Sequence, residues 1–318
     1  MGRHVAVDSP EVERIVEEAV RAIGAEVDAL RIPRLWGVVL GGGYGRGEGG
    51  VIGGGLSNDL DFYVVAEEGA GGADLAAIDA ALKPVSEKWT AKLGVDVDFC
   101  TAKTPWRIRH DEERLMIQEL VHGYFDVAGE RGETMFARVK RLEPGELPWM
   151  EAARLLMNRG AGLLLAGDRL RAGEGVKGFV ARNINKAVLG AGDARLIARG
   201  GYRWRAVDRA EALGDALYSK AVDWKFRPAD EPVCGIAAAR SAWTDALDEV
   251  FRADGARDAL ARRSVYNAAR WIVRRRTLGE FRTFGLDPVA RVLAVMREAV
   301  EEGKPFSPGL KKDWIQFN

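Results

Sequence analysis

A chain of 318 residues is long enough for one large domain or two modest ones, and 47% apolar with 30% charged residues is globular composition, which excludes an extensively disordered polypeptide. The 47 basic and 47 acidic residues cancel, so nothing chain-wide draws the protein to nucleic acid or to a membrane surface, and any binding patch has to be local. Cys100 and Cys234 form no metal-spaced cluster, residues 1–30 lack the pattern of a secretory signal, and no apolar run approaches the roughly 20 residues of a membrane span, so a soluble cytoplasmic protein is expected.

Ser9-Pro10-Glu11-Val12-Glu13 reads as a helix start, with Ser9 as N-cap, Pro10 at the first helical position and acids at the positive end of the dipole. Val12, Ile15, Val16, Ala19, Val20 and Ile23 recur at helical spacing, which predicts an amphipathic helix over 9–30. Leu35–Leu40 is a short apolar run and is read as a buried strand; it empties into the glycine-rich stretch 41–50. A second glycine cluster, 53–55, leads through Ser57-Asn58 to Asp59-Leu60-Asp61-Phe62-Tyr63-Val64-Val65, which is strand-like.

Residues 73–93 return to helical spacing, Gly94 ends that helix, and Val95–Cys100 alternates as a half-buried strand does. Pro105 to Val121 is predicted as one helix, followed by a short strand at Tyr124–Ala128. From Trp149 onward the patterns are helical and rich in Leu, Ala and Arg, with a boundary expected near Pro144–Pro148. The fold class expected is α+β: a small mixed β-sheet core with flanking helices over residues 1–145, then an α-helical domain over 146–318 that closes the cleft.

The chemistry concentrates in the first hundred residues. Residues two apart on a strand point to the same face, so Asp59 and Asp61 present two carboxylates together while Leu60, Phe62 and Val64 turn into the core. Two such acids repel unless a cation lies between them, and a hard divalent ion such as Mg²⁺ suits oxygen ligands shared with phosphates. Asp96 and Asp98, on the next strand, offer a third carboxylate, with Asp98 favoured over Asp96. Gly42-Gly43 stands directly after the first strand, where a loop bare of Cβ atoms lets backbone N–H groups approach phosphate oxygens, and Arg46 adds a bidentate contact. Gly45-Arg46-Gly47-Glu48-Gly49-Gly50 also fits the G-x-G-x-x-G fingerprint of dinucleotide sites, but the glycines beyond it are poor helix formers and that fingerprint needs a helix.

Gly42-Gly43-Tyr44-Gly45-Arg46-Gly47-Glu48 followed by Ser57-Asn58-Asp59-Leu60-Asp61 resembles the signature of the DNA polymerase β-like nucleotidyltransferase superfamily, the loop being most similar to that of the PII-protein uridylyltransferases. The resemblance covers roughly residues 36–100, and departs from the usual pattern in a longer loop, through Val51–Leu56. It implies transfer of a nucleoside monophosphate from an NTP to a hydroxyl or similar acceptor, a small molecule, a protein or an RNA, with release of pyrophosphate. It further implies that Gly42 and Gly43 hold the triphosphate, with Tyr44, Arg46 and Ser57 in the same nucleotide-binding loop, and that Asp59, Asp61 and one of Asp98 or Asp96 hold Mg²⁺, for which Mn²⁺ can substitute. In several branches a helical domain supplies a lysine to the triphosphate, and Lys186 is the residue assigned here.

Two competing classes follow from the same sequence. One is a catalytically weak nucleotide-binding regulator that keeps the acidic cage. The other is a nucleic-acid-binding module built on the stretch Arg257–Arg282, where arginines are interleaved with Tyr266, Trp271 and Phe281; such a run is more often a solvated helix face.

Overall fold

The structure is a computed structural model that describes residues 2–253, 256 and 288–317. The arginine-rich stretch 257–282 lies outside the described residues. The fold is α+β, a small mixed four-stranded sheet with flanking helices and a helical region. Among the described residues no helix is long and apolar enough to cross a membrane.

Contacts divide the chain into two compact units. The first gathers Met1–Glu143 with two short returns, Trp204–Ala206 and Lys225–Pro228; the second holds Pro144–Arg203, Val207–Trp224 and the described residues from Ala229 onward.

The first unit opens with α1 (Pro10–Leu30), which buries Val12, Val16, Ala19, Ile23 and Val27 along one stripe and ends where Arg31 turns left-handed. Pro10 occupies the first turn as expected, but the Ser9 hydroxyl makes no cap bond. The sheet comprises β1 (Leu35–Leu40), β4 (Leu60–Ala66), β5 (Val97–Lys103) and β6 (Phe125–Gly129), in the order β5-β4-β1-β6. Strand β1 is antiparallel to β4 and β6, whereas β4 and β5 are parallel and joined through α3 (Gly72–Leu93), the crossover that parallel neighbours require.

Alternation along the strands separates two apolar layers. Val38, Leu40, Phe62, Val64 and Val97 pack with α1 and α3, while Val39 and Val65 pack with Ile108, Ile117, Leu120, Met135 and Phe136 on the opposite face. Phe62 is fully buried and stacked on Phe99 at 5.0 Å, and burial of such a side chain contributes about 1.5–3 kcal/mol. Both sheet faces are thus covered, leaving the strand ends as the place for polar chemistry.

Two local expectations change. The predicted helix from Pro105 to Val121 is two, α4 (Pro105–His110) and α5 (Leu115–His122), parted by a turn in which the Arg114 N–H donates to the Asp111 carbonyl. The run Asp111-Glu112-Glu113-Arg114 puts charge on every face and leaves no apolar stripe to dock a continuous helix. The extra glycine segment forms a small hairpin, β2 (Val51–Ile52) against β3 (Gly55–Leu56), whose two central residues Gly53 and Gly54 have φ of 55° and 78°, the torsions a tight primed turn demands.

The second unit is helical: α7 (Trp149–Arg171), α8 (Phe179–Ala198), most of α9 (Ala206–Leu213) and α10 (Ala216–Phe226), then α11 (Ile236–Arg252), α12 (Pro288–Glu301) and α13 (Pro308–Phe317). Trp243 is fully buried and donates its indole N–H to the Leu156 carbonyl at 2.8 Å. The Tyr218 hydroxyl donates to Asp193, which also pairs with Arg209 at 2.9 Å. Asp193 is therefore committed to packing the helices together.

One buried group makes this architecture sensitive to acid. Burial holds the His4 imidazole below its ordinary pKa. Its folded value lies below the unfolded one, so its contribution is complete above the unfolded pKa near 6.5 and is lost as pH falls through the folded value. In EDTA, the unfolding midpoint is expected to drop between pH 7 and pH 5 with a slope that His4→Gln makes shallower, by up to about 1.4 kcal/mol per pH unit; parallel pH profiles of the two proteins check it.

Candidate functional site

The site begins where β1 ends. The Gly41 N–H donates to the Asp61 carbonyl at 2.8 Å, carrying the ladder one residue past Leu40, and the chain then turns sharply at Gly42, whose φ is +60°. A Cβ at Gly42 would collide with the Asp61 carboxylate, so this glycine is required by the acid beside it. At Gly43 an added Cβ meets nothing closer than the Glu48 carbonyl at 3.5 Å, an ordinary contact. The short helix α2 (Gly42–Gly45) follows, and the first N–H groups of such a turn have no intrahelical acceptor.

Tyr44 lies inside the glycine excursion. Its ring is fully buried, its hydroxyl donates to the Gly50 carbonyl at 2.8 Å and accepts from the Ser57 N–H at 3.2 Å, and it ties the two ends of the glycine excursion together. A phenol this deep acts as a clamp inside the loop, satisfying backbone groups there. Asn58 assists, accepting from the Gly50 N–H at 3.1 Å and from the Ser57 hydroxyl at 3.1 Å. Ser57 is half-buried in this network.

Arg46 is held by acids of the same unit, Glu119 at 3.3 Å and Glu48 at 3.7 Å. Glu48 is the residue that sequence reasoning passed over. It is buried, accepts the Ala206 N–H at 2.5 Å and pairs with Lys225 at 2.5 Å, which explains why residues 204–206 and 225–228 join the sheet unit. The only signal in the sequence is an acid enclosed by Gly47 and Gly49-Gly50, a stretch too lean to bury a charge without partners from elsewhere.

The carboxylates converge. Asp59 immediately precedes β4, Asp61 is its second residue, and the parallel register sets Asp61 opposite Asp98 on β5. One oxygen from each of Asp59, Asp61 and Asp98 lies within 4.8 Å of the others; Asp59 and Asp61 are half-buried and Asp98 is exposed. Asp96 stands just before β5, exposed and outside this trio, its backbone carbonyl accepting the Leu60 N–H at 2.9 Å. Leu60 and Phe62 turn the other way and are fully buried.

Electrostatics mark the same place. Partial burial, followed by the charges of Asp59 and Asp96, raises the pKa of Asp98. Burial, with the charge of Asp61 behind it, pushes the Cys100 thiol up to about 11. Two unit charges about 4 Å apart repel by about 1 kcal/mol in water and about 4 kcal/mol near a protein surface. Three carboxylate oxygens at this separation are a hard donor set that a divalent cation fits.

Lys186 lies on α8 of the second unit, with an exposed side chain. In comparisons with known proteins the chain matches no family model and no curated sequence.

Two stability outcomes follow from this geometry. Gly42→Ala is expected to lower the unfolding midpoint by several degrees, since a left-handed alanine costs about 1–2 kcal/mol before the clash with Asp61 is counted, whereas Gly43→Ala is expected to leave it within about 1 °C; thermal melts of both variants decide. The sign for Asp98 is that a raised folded pKa costs stability as pH rises through it, so Asp98→Asn in EDTA at neutral pH is expected to melt no lower than the native protein; parallel melts of the two check it.

Proposed function

We propose that this protein is a metal-dependent nucleotidyltransferase that moves a nucleoside monophosphate from an NTP to a hydroxyl or similar acceptor and releases pyrophosphate. One observation carries the proposal: carboxylates from two parallel neighbouring strands, Asp59, Asp61 and Asp98, converge within 4.8 Å beside a glycine whose missing Cβ makes room for Asp61. The order strand, glycine turn, Asp-x-Asp strand, helix, third-acid strand is the order in which the resemblance to the DNA polymerase β-like superfamily expects these parts.

Asp59, Asp61 and Asp98 are the residues that would hold Mg²⁺ or Mn²⁺, which when bound offsets the charge of a triphosphate and of the pyrophosphate that leaves. The backbone at Gly42-Gly43 is assigned to the phosphates, because the first N–H groups of α2 have no intrahelical acceptor and Gly43 has no side chain to exclude a ligand. Asp98, the most exposed of the three acids, is assigned to take the proton of the acceptor hydroxyl as its oxygen attacks the α-phosphorus and the bond to pyrophosphate breaks. Tyr44, Asn58 and Glu48 shape the turn from behind, and Arg46, braced by Glu48 and Glu119, keeps its outer edge in place. The class of acceptor is a nucleophilic oxygen or its equivalent on a small molecule, a protein or an RNA.

The test is incubation of the purified protein with α-labelled NTPs and Mg²⁺, with and without acceptor mixtures, reading pyrophosphate and label transfer. Turnover is expected with the native chain, to fall by at least about a hundredfold in Asp61→Asn, and to need more NTP for half-saturation in Gly43→Ala. The Asp61→Asn melting midpoint is expected not to fall. Saturable NTP binding with no pyrophosphate from any acceptor would instead identify a nucleotide-binding regulator, and full turnover in Asp61→Asn would remove the carboxylates from the chemistry.

A further inference from the structure

We propose that His4, Glu13 and Glu17 form a second metal site, separate from the aspartate trio, which takes a transition-metal ion of the Zn²⁺ class and pins the N-terminal segment against the glycine turn. This site does not depend on the nucleotidyltransferase proposal. One ligand atom from each of the three residues lies within 4.8 Å of the others.

The segment before α1 runs directly along the turn. The Gly49 N–H donates to the His4 carbonyl at 3.0 Å, the Ala6 N–H donates to the Gly49 carbonyl at 3.0 Å, and Val5 bridges Gly49 in parallel. His4 is only 2% exposed, its ring packed on Phe125 at 4.3 Å. Its Nδ1 stands 3.2 Å from the Tyr44 carbonyl, an acceptor only, so the proton resides on Nδ1 and Nε2 carries the lone pair. That Nε2 makes no hydrogen bond among the described residues, and the atom retains some access to solvent, as a site that an ion enters requires. A histidine whose Nδ1–H is fixed by a backbone carbonyl while Nε2 is left bare has the orientation and tautomer of a metal ligand.

The two glutamates are built into place to different degrees. Glu13 accepts the His4 N–H on Oε1 at 2.8 Å and the Val5 N–H on Oε2 at 3.1 Å, which fixes the carboxylate while each oxygen retains a further lone pair. Glu17 lies one helical turn on, on the same face of α1, half-buried and with no hydrogen bond among the described residues. Like charges at this spacing destabilise a helix, and a cation between them reverses the sign. One imidazole nitrogen with two carboxylate oxygens favours a borderline ion over Mg²⁺, which prefers oxygen alone and keeps its water. Ligand atoms of a tetrahedral zinc stand about 3.3 Å apart for bonds of about 2.0–2.1 Å, a closure that the flexible Glu17 side chain supplies by rotamer change.

The experiment is metal analysis of the untagged full chain after dialysis against micromolar Zn²⁺ in millimolar Mg²⁺, with Co²⁺ absorption as a second readout. The native protein and Asp61→Asn are expected to retain an equimolar amount of zinc and to show the d–d bands of a low-symmetry Co²⁺ site. Glu17→Gln and His4→Gln are expected to bind at least about tenfold more weakly and to lose the bands. Glu17 bears no structural bond, so its variant remains informative should His4→Gln fail to fold. Zinc retained undiminished in Glu17→Gln, zinc lost in Asp61→Asn alone, or no zinc on the native protein would each overturn the proposal.

Discussion

Three negative groups held within reach of one another define this protein more than any other feature. Asp59, Asp61 and Asp98 are kept together by the backbone: the parallel pairing of β4 and β5 sets Asp61 across from Asp98, and Asp59 is carried in by the residue that enters β4. Their repulsion is overcome by the layer beneath, where Leu60, Phe62 and Val97 are fully buried between the sheet and α1 and α3. Holding acids in this way costs stability that the core beneath has to supply.

The glycine turn shows how much of a motif serves the loop's own structure. Gly42 is dictated by the Asp61 carboxylate, Tyr44 by the carbonyl and N–H groups it satisfies inside the loop, and Glu48 by Ala206, Lys225 and Arg46. Glu48 has the widest structural reach. Its buried carboxylate draws two segments distant in sequence into the sheet unit, and removing it would take from Lys225 its 2.5 Å ion pair and leave Arg46 to Glu119. The same turn is bounded on its other side by residues 4–6, whose hydrogen bonds to Gly49 are reinforced by Glu13 from α1. The loop is therefore framed by groups from several separate stretches of chain, which is how a glycine-rich segment acquires one conformation despite its large entropy in the unfolded state.

Much of this was legible in the sequence because it depends on period and on torsion. The helix over 9–30, the strand at 35–40, the alternation that turns Leu60 and Phe62 inward and the acids outward, and the short strand near 124–128 follow from the spacing of apolar residues. The structure has α1 at Pro10–Leu30, β1 at Leu35–Leu40, β4 at Leu60–Ala66 and β6 at Phe125–Gly129. Asp59, Asp61 and an acid from the next strand were nameable for the same reason. Polar runs and glycine clusters were read less well. The charged tetrad 111–114 breaks what periodicity joined, and Gly53-Gly54 closes a hairpin where only a loop was expected.

Sequence alone determined the periodic elements, the inward and outward faces of the strands and the pair of acids two residues apart, since each depends on local geometry that repeats along the chain. Tertiary structure decided which third acid joins them, because the register between β4 and β5 sets Asp98 beside Asp61 and leaves Asp96 outside the trio. It also decided that Tyr44 is buried, that Glu48 reaches residues more than 150 positions away, and that His4 meets Glu13 and Glu17. Those encounters join residues with no common period, and only the folding of one surface onto another brings them within bonding distance.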